Sequence, residues 1–176
     1  MFSYRTNNIN VRLFLFISAG LLPLFIIFIL CEVYPFSPIL KYIYDGAKNY
    51  SNITSNHNNL MSVIMDLYSK TGILCAIIFC LLNHILIKEK IRIEHVKKNR
   101  LIVSCILSPV VCIFLIYIFM NEEIELSSTV RPWSLMSQND FLLLFIYVNL
   151  YVASFTLTLC LYITCLIAKK ICSERH

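Results

Sequence analysis

The chain has 176 residues, enough for one domain, and 59% of them are hydrophobic, with a mean hydropathy of +0.74. A water-soluble domain of this length does not need so apolar a composition, so we expect an integral membrane protein. The net charge of +5 gives no reason to expect nucleic acid as a partner, because the Lys and Arg residues are gathered beside apolar stretches.

Four apolar stretches, residues 11–34, 71–87, 101–120 and 141–168, occupy most of the sequence. A bilayer core of about 30 Å is crossed by about 20 apolar residues in a helix, and the second stretch only just reaches this length. Hydrocarbon offers no hydrogen-bond partners, so each crossing segment must be a helix. The sequence therefore predicts an all-α polytopic protein with four transmembrane helices in a single membrane domain, 1–176.

The Lys and Arg residues are unevenly distributed between the two sides of these helices. Eleven of the fifteen lie in the N-terminal tail, the segment 88–100 and the C-terminal tail. Cytoplasmic loops carry the excess of Lys and Arg, so this distribution predicts that both termini and the loop 88–100 are cytoplasmic. The loops 35–70 and 121–140 would then be periplasmic.

The first of these loops contains two helical patterns. Residues 39–44 are amphipathic enough to lie on the membrane surface. From residue 60, polar side chains recur at helical spacing, Asp66 and Lys70 form an i,i+4 pair, and Asn58 or Asn59 is placed to cap the helix. We expect an interfacial helix here that runs straight into the second transmembrane helix.

The last two apolar stretches carry polar side chains suited to contacts between helices. Ser108 can bond a backbone carbonyl that Pro109 frees, and the last helix contains Asn149, Ser154 and Thr158. In the loop between these stretches, Trp133 follows Arg131 and is a natural anchor at the membrane interface. Asn139 or Asp140 is placed to cap the last helix.

No pattern in the sequence points to catalysis. We find no charged residue at the centre of a predicted helix and no nucleophile–base set, and we expect no enzyme activity, cofactor or metal site. Most of the eight cysteines lie inside the predicted helices and none lies in the two predicted periplasmic loops, which argues against a disulfide oxidase. The remaining interpretations are a protein that binds another membrane protein, or a small exporter or channel subunit.

An ordered series of short segments resembles the immunity proteins against pore-forming colicins of the colicin A/B/N type. The series covers most of the chain, and the likeness is strongest to the colicin A branch. Its members include Gly20-Leu21-Leu22-Pro23, Ile53-Thr54-Ser55, Val63-Ile64-Met65-Asp66-Leu67-Tyr68, Ser104-Cys105-Ile106-Leu107-Ser108-Pro109, Arg131-Pro132 and Asn139-Asp140.

The resemblance implies a multi-pass protein of the bacterial inner membrane with cytoplasmic termini. It implies that the chain binds the pore-forming domain of a cognate colicin within the lipid bilayer and blocks channel opening, which protects the producing cell. The sequence does not decide whether the chain forms a homodimer. The residues that we predict to contact the toxin are Ser108, Pro109, Arg131, Trp133, Asn149, Ser154 and Thr158.

Overall fold

A computed structural model describes residues 2–90, 98–129 and 131–173 of the chain. Within these residues the fold is almost wholly helical, as predicted, with one pair of two-residue strands, β1 (Ile53–Thr54) and β2 (Ile124–Glu125), and a 3₁₀ turn at Leu126–Ser128. The helices are α1 (Phe2–Val33), α2 (Pro38–Ala47), α3 (Asn59–Lys70), α4 (Gly72–Leu82), α5 (His84–Lys90), α6 (Lys98–Asn121), α7 (Arg131–Ser137) and α8 (Asp140–Ser173).

Three helical segments of the described chain are long and apolar enough to cross a membrane: Ile9–Val33, Asn59–Leu82 and Asp140–Cys172. The helix α6 contributes a shorter apolar stretch, Cys105–Asn121. Most of the predicted connector 88–100 lies outside the described residues. The second segment is α3 and α4 together, so it begins well before residue 71, where we expected the second helix to start.

We expected an interfacial helix after residue 58 that runs straight into the second transmembrane helix. The continuous helix is confirmed, but α3 packs inside the bundle instead of lying on its surface. The Asn58 side chain caps α3 by accepting a hydrogen bond from the Met61 N–H at 3.2 Å, as predicted. The backbone then stays helical through Thr71, which joins α3 to α4. Met61, Met65 and Asp66 are fully buried. The polar face of α3 is therefore turned towards other parts of the protein and not towards water.

The continuous α3–α4 segment is the centre of the bundle. It packs against α1, α2 and α8, while α6 packs mainly against α8. A larger buried cluster, including Leu24, Met65 and Tyr147, fills one half of the bundle. A smaller one, with Ile9 and Ile87, fills the half that holds the two chain ends. We call the opposite end, where the segments 34–58 (the first loop) and 122–139 (the third loop) meet, the loop end.

Two glycines permit the closest helix contacts in this bundle. A Cβ atom added to Gly72 would overlap Ser154 Oγ and lie 2.7 Å from the Tyr151 carbonyl oxygen. A Cβ atom at Gly20 would overlap the Tyr151 hydroxyl. Small residues allow helices to approach closely in membranes, where packing rather than hydrophobicity holds helices together. Any side chain at Gly72 would therefore push α4 away from α8.

We expect Gly72→Ala to lower the thermal stability of the detergent-solubilised protein, because overpacking a tight contact typically costs about 1–3 kcal/mol. Gly46→Ala in α2 is the matched control, since an added Cβ there has no atom within 4 Å. Thermal unfolding of both variants measures the difference. Equal melting temperatures would contradict a close contact between α4 and α8.

Candidate partner-binding surface

A buried ion pair lies near the middle of the continuous α3–α4 segment, where the first loop reaches it. Lys70 Nζ is 3.0 Å from Asp66 Oδ2, and the two side chains are 8% and 0% exposed. The same carboxylate oxygen accepts a hydrogen bond from the Asn52 N–H at 2.8 Å. Lys70 also donates to the Asn52 side-chain oxygen at 3.1 Å and to the Tyr50 carbonyl at 2.8 Å. The pair therefore attaches the first loop to α3.

Asn52 also attaches the third loop. Its side-chain amide donates to the Met120 carbonyl at the end of α6, and its own carbonyl accepts from the Ile124 N–H, both at 2.8 Å. These bonds align β1 with β2 as a parallel pair, with Ile53 opposite Ile124. We call Asn52, Asp66 and Lys70 the loop hub, because they join both loops to the central helix.

Further hydrogen bonds tie the loops to the start of α8. The Asn58 amide donates to Asp140 Oδ1 at 3.1 Å, so the cap of α3 also holds the first residue of α8. Tyr147 donates to the Ile53 carbonyl at 2.8 Å, inside the protein. Asn139 caps α8, as predicted, by accepting from the N–H groups of Phe141 and Leu142, two and three residues further along the chain. The loop end is thus a folded layer and not a set of independent loops.

The sequence prediction missed the loop hub. It placed no charged residue at the centre of a helix, whereas Asp66 and Lys70 lie within the apolar segment Asn59–Leu82 and are buried. The i,i+4 spacing of this pair was visible, but it is the same for an exposed and a buried pair. Nothing in the sequence around Asn52 indicates that its hydrogen-bond partners lie in three different segments.

One of the predicted contact residues, Ser154, packs inside the bundle, and a second, Thr158, lies about one turn further along α8. Ser154 is 1% exposed, and its hydroxyl donates to the Ser69 carbonyl at 3.1 Å, between α8 and α3. Thr158 is half-buried and donates to the Ser154 carbonyl at 2.8 Å. Ser154 therefore contacts the protein's own α3, whereas the hydrogen bond of Thr158 stays within α8.

The other predicted residues belong to three different helices, α6, α7 and α8. Asn149 is exposed on α8, and its amide donates only to the Phe145 carbonyl of its own helix, at 2.7 Å. Ser108 and Pro109 are half-buried on α6. Trp133 on α7 is 50% exposed, and the Arg131 side chain lies outside the described residues. Of these residues, Ser108 and Pro109 are adjacent on α6, and the others come from α7 and α8.

The surfaces around these residues are strongly apolar. Along α1 and α6, many large hydrophobic side chains are exposed, among them Phe14, Ile26, Ile29, Ile106, Val110 and Phe114. A groove of about 330 Å³ between α1, α2 and α3 is lined mainly by apolar side chains such as Ile27, Ile43 and Leu67. Exposed apolar area of this extent marks a surface that contacts lipid or another protein.

Comparison with known proteins identifies the family. The model of the colicin immunity protein family matches residues 36–176. This chain belongs to that family. It is 36% identical to the colicin-A immunity protein of Citrobacter freundii over 167 residues, which are 95% of this chain and 92% of that protein. It is 30% identical to the colicin-B immunity protein of Escherichia coli, over 88% of this chain and 86% of that protein.

No solved structure matches the chain. The family resemblance predicted from the sequence, with its likeness to the colicin A branch, is confirmed.

We expect Asp66→Leu to destabilise the protein by about 3–5 kcal/mol, because it leaves the Lys70 charge buried without its partner. The double variant Asp66→Leu with Lys70→Met removes both charges and should recover much of this loss. It leaves the Asn52 N–H unpaired, which costs about 1–3 kcal/mol.

Thermal unfolding in detergent and the amount of protein in the membrane measure both effects. The matched control is Asp45→Ala, since Asp45 forms an exposed pair with Lys48 at 3.7 Å and should contribute little. A single variant as stable as the double variant would contradict the buried ion pair.

Proposed function

We propose that this protein binds the pore-forming domain of a colicin within the inner membrane and prevents its channel from opening. Membership of the family makes colicin immunity the function of the chain, and the proteins of this family inhibit by binding and are not enzymes. The observation that carries the proposal is the combination of this membership with the exposed apolar faces of α1 and α6.

Binding within the bilayer fits these surfaces. Apolar contacts cannot distinguish a protein helix from lipid tails, so association there depends on packing and on polar groups that reach the surface. Asn149 is such a group, since it is exposed on α8 and bonded only within its own helix. We propose Asn149, Ser108, Pro109, Trp133 and Arg131 as contacts with the toxin.

We further propose that α6 is a fourth membrane span and that both termini and the loop 88–100 are cytoplasmic. Eleven cations lie in the two tails and this loop. Lys70 is buried in the loop hub, so Lys41, Lys48 and Arg131 are the cations left for the loop end.

Reporter fusions after Arg92 and at the C-terminus should be active in the cytoplasm, and one after Ser55 in the periplasm. A periplasmic C-terminus would contradict four spans.

The alternative function is a small exporter or channel subunit. The buried carboxylate of Asp66, which the sequence prediction missed, gives this alternative little support. A proton-coupled exporter needs a buried ionisable group that changes its partners during transport. Asp66 is held by Lys70 and by the Asn52 N–H, at the joint of two loops. This arrangement favours a fixed structural role for the carboxylate.

The test of the proposed function is a killing assay with a panel of colicins that includes colicins A and B. A sensitive strain that expresses the chain should survive at least one pore-forming colicin at doses that kill the same strain with an empty vector. It should stay sensitive to a nuclease colicin, because blocking a channel does not stop an enzyme in the cytoplasm. Protection against the nuclease, or against no pore former, would refute the proposal.

We expect Asn149→Leu to weaken protection without lowering the amount of protein in the membrane. Hydrogen bonds between membrane helices contribute about 0.6–1.7 kcal/mol, which corresponds to roughly a threefold to twentyfold loss of affinity. The matched control is Thr164→Val on the same helix, about 22 Å away along its axis. Protection lost only in proportion to lost protein would show that Asn149 has a structural role.

A further inference from the structure

The loop end contains a polar cleft of about 500 Å³, which we call the outer cleft. Its walls come from the end of α2, the first loop, the start of α3 and the third loop. Whereas the groove between α1, α2 and α3 is apolar, charged groups, carboxamides and hydroxyls line the outer cleft, including those of Lys48, Ser51, Asn56, Asn59, Glu123 and Glu125. A polar cavity at the end of an apolar bundle suits a polar ligand.

The outer cleft is held in shape by hydrogen bonds within the protein. The Asn56 side-chain amide donates to the Glu125 carboxylate, and the Asn56 N–H donates to Ser127 Oγ at 3.1 Å. The Ile124 N–H donates to the Asn52 carbonyl, which fixes the third loop against the first. A ligand that enters this cleft does not have to order its walls, so less of the binding free energy is lost.

The charges of the outer cleft do not balance. Lys48 lies 3.7 Å from Asp45, which offsets its charge. In the described part of the chain, neither Glu123 nor Glu125 has a cation within ion-pair distance. The cleft therefore carries excess negative charge, which attracts cations and repels anionic lipid headgroups.

A second observation concerns the hydroxyl of Ser51, which also lines the cleft. This oxygen is buried and has no hydrogen-bond partner among the described residues. A buried hydroxyl without a partner is costly until a donor or an acceptor reaches it. The ammonium group of a lysine or the guanidinium group of an arginine can neutralise the carboxylates, and it can donate to this oxygen when the Ser51 side chain turns into the cleft.

We propose that the outer cleft binds a lysine- or arginine-bearing segment of the toxin's pore-forming domain and so contributes to the choice of toxin. The proposal rests on the proposed function, since it takes the loop end to face the periplasm, from which the toxin arrives. Glu123 is the central recognition residue, because it is exposed in the cleft and makes no hydrogen bond within the described protein that its replacement would break.

The experiment measures binding of the full-length protein in detergent to the purified pore-forming domain of the colicin that it neutralises in the panel. Glu123→Lys should weaken binding by about tenfold or more, because it replaces attraction by repulsion. Glu122→Lys is the matched control, since Glu122 is also exposed but does not line the cleft. The wild-type affinity should fall as salt is raised, and that of Glu123→Lys should fall less.

A variant with the opposite effect separates recognition from damage to the fold. Lys48→Gln removes the cation of the cleft and should tighten binding, which a damaged protein does not do. In the toxin domain, changing lysines and arginines singly to Glu should yield one variant that regains binding to Glu123→Lys.

Two results would refute toxin binding at the outer cleft while leaving the proposed function intact. In the first, wild type protects, but Glu123→Lys binds as well as Glu122→Lys and Lys48→Gln changes nothing. In the second, the Glu123 variant alters only association between copies of this chain. If wild type protects against no pore former at all, the proposed function has failed first, and the outer cleft fails with it.

Discussion

The arrangement of the whole loop end depends on Asn52, which uses both backbone groups and both ends of its side chain in hydrogen bonds. These bonds reach Asp66 and Lys70 in α3, Met120 at the end of α6 and Ile124 in the third loop. Burying an ion pair removes its hydration, so the net gain in stability from Asp66 and Lys70 is small. Its larger effect is on position. Apolar helices in a bilayer slide along one another at little cost, and a charged pair that must meet one asparagine fixes the height of α3.

Local signals in the sequence were sufficient for part of this fold. The caps at Asn58 and Asn139 depend on a side chain and the next few N–H groups, so their spacing alone predicts them. The burial of α3 has no such signal, because Asp66 and Lys70 are four residues apart whether they face water or protein. Asp66 and Lys70 face protein because they bind Asn52. Asn52 lies in a loop outside the helical pattern, so the pattern does not reveal this contact. Strands β1 and β2 have two residues each, too few for any periodicity.

The sequence alone does not show which way the candidate contact residues point, for a reason particular to membranes. In a soluble protein, polar residues mark the outer face of a helix. In α8, a polar residue faces the bundle at Ser154 and the surface at Asn149, and both are surrounded by apolar side chains in the sequence. Hydropathy cannot distinguish a lipid-facing side from a protein-facing side. The direction of each side chain therefore required the packing of α8 against α3, α4 and α6.

Under the proposed function, the inhibitor is confined to the same bilayer as its target, and it needs discrimination more than affinity, since confinement raises the effective concentration of both. Apolar faces supply contact area but little discrimination. Under the proposed function, discrimination therefore depends on the polar groups that reach the surface, in the membrane and at the loop end. The hydrogen bonds that join both loops to the central helix are made by the loop hub and not by exposed polar groups such as Glu123. Glu123 can change its charge without disturbing Asn52, Asp66 or Lys70, whereas Glu125 is tied to Asn56 and changes at greater cost. Substitutions at exposed positions of the loop end, such as Glu123, can therefore change the partner while the packing of the bundle stays the same.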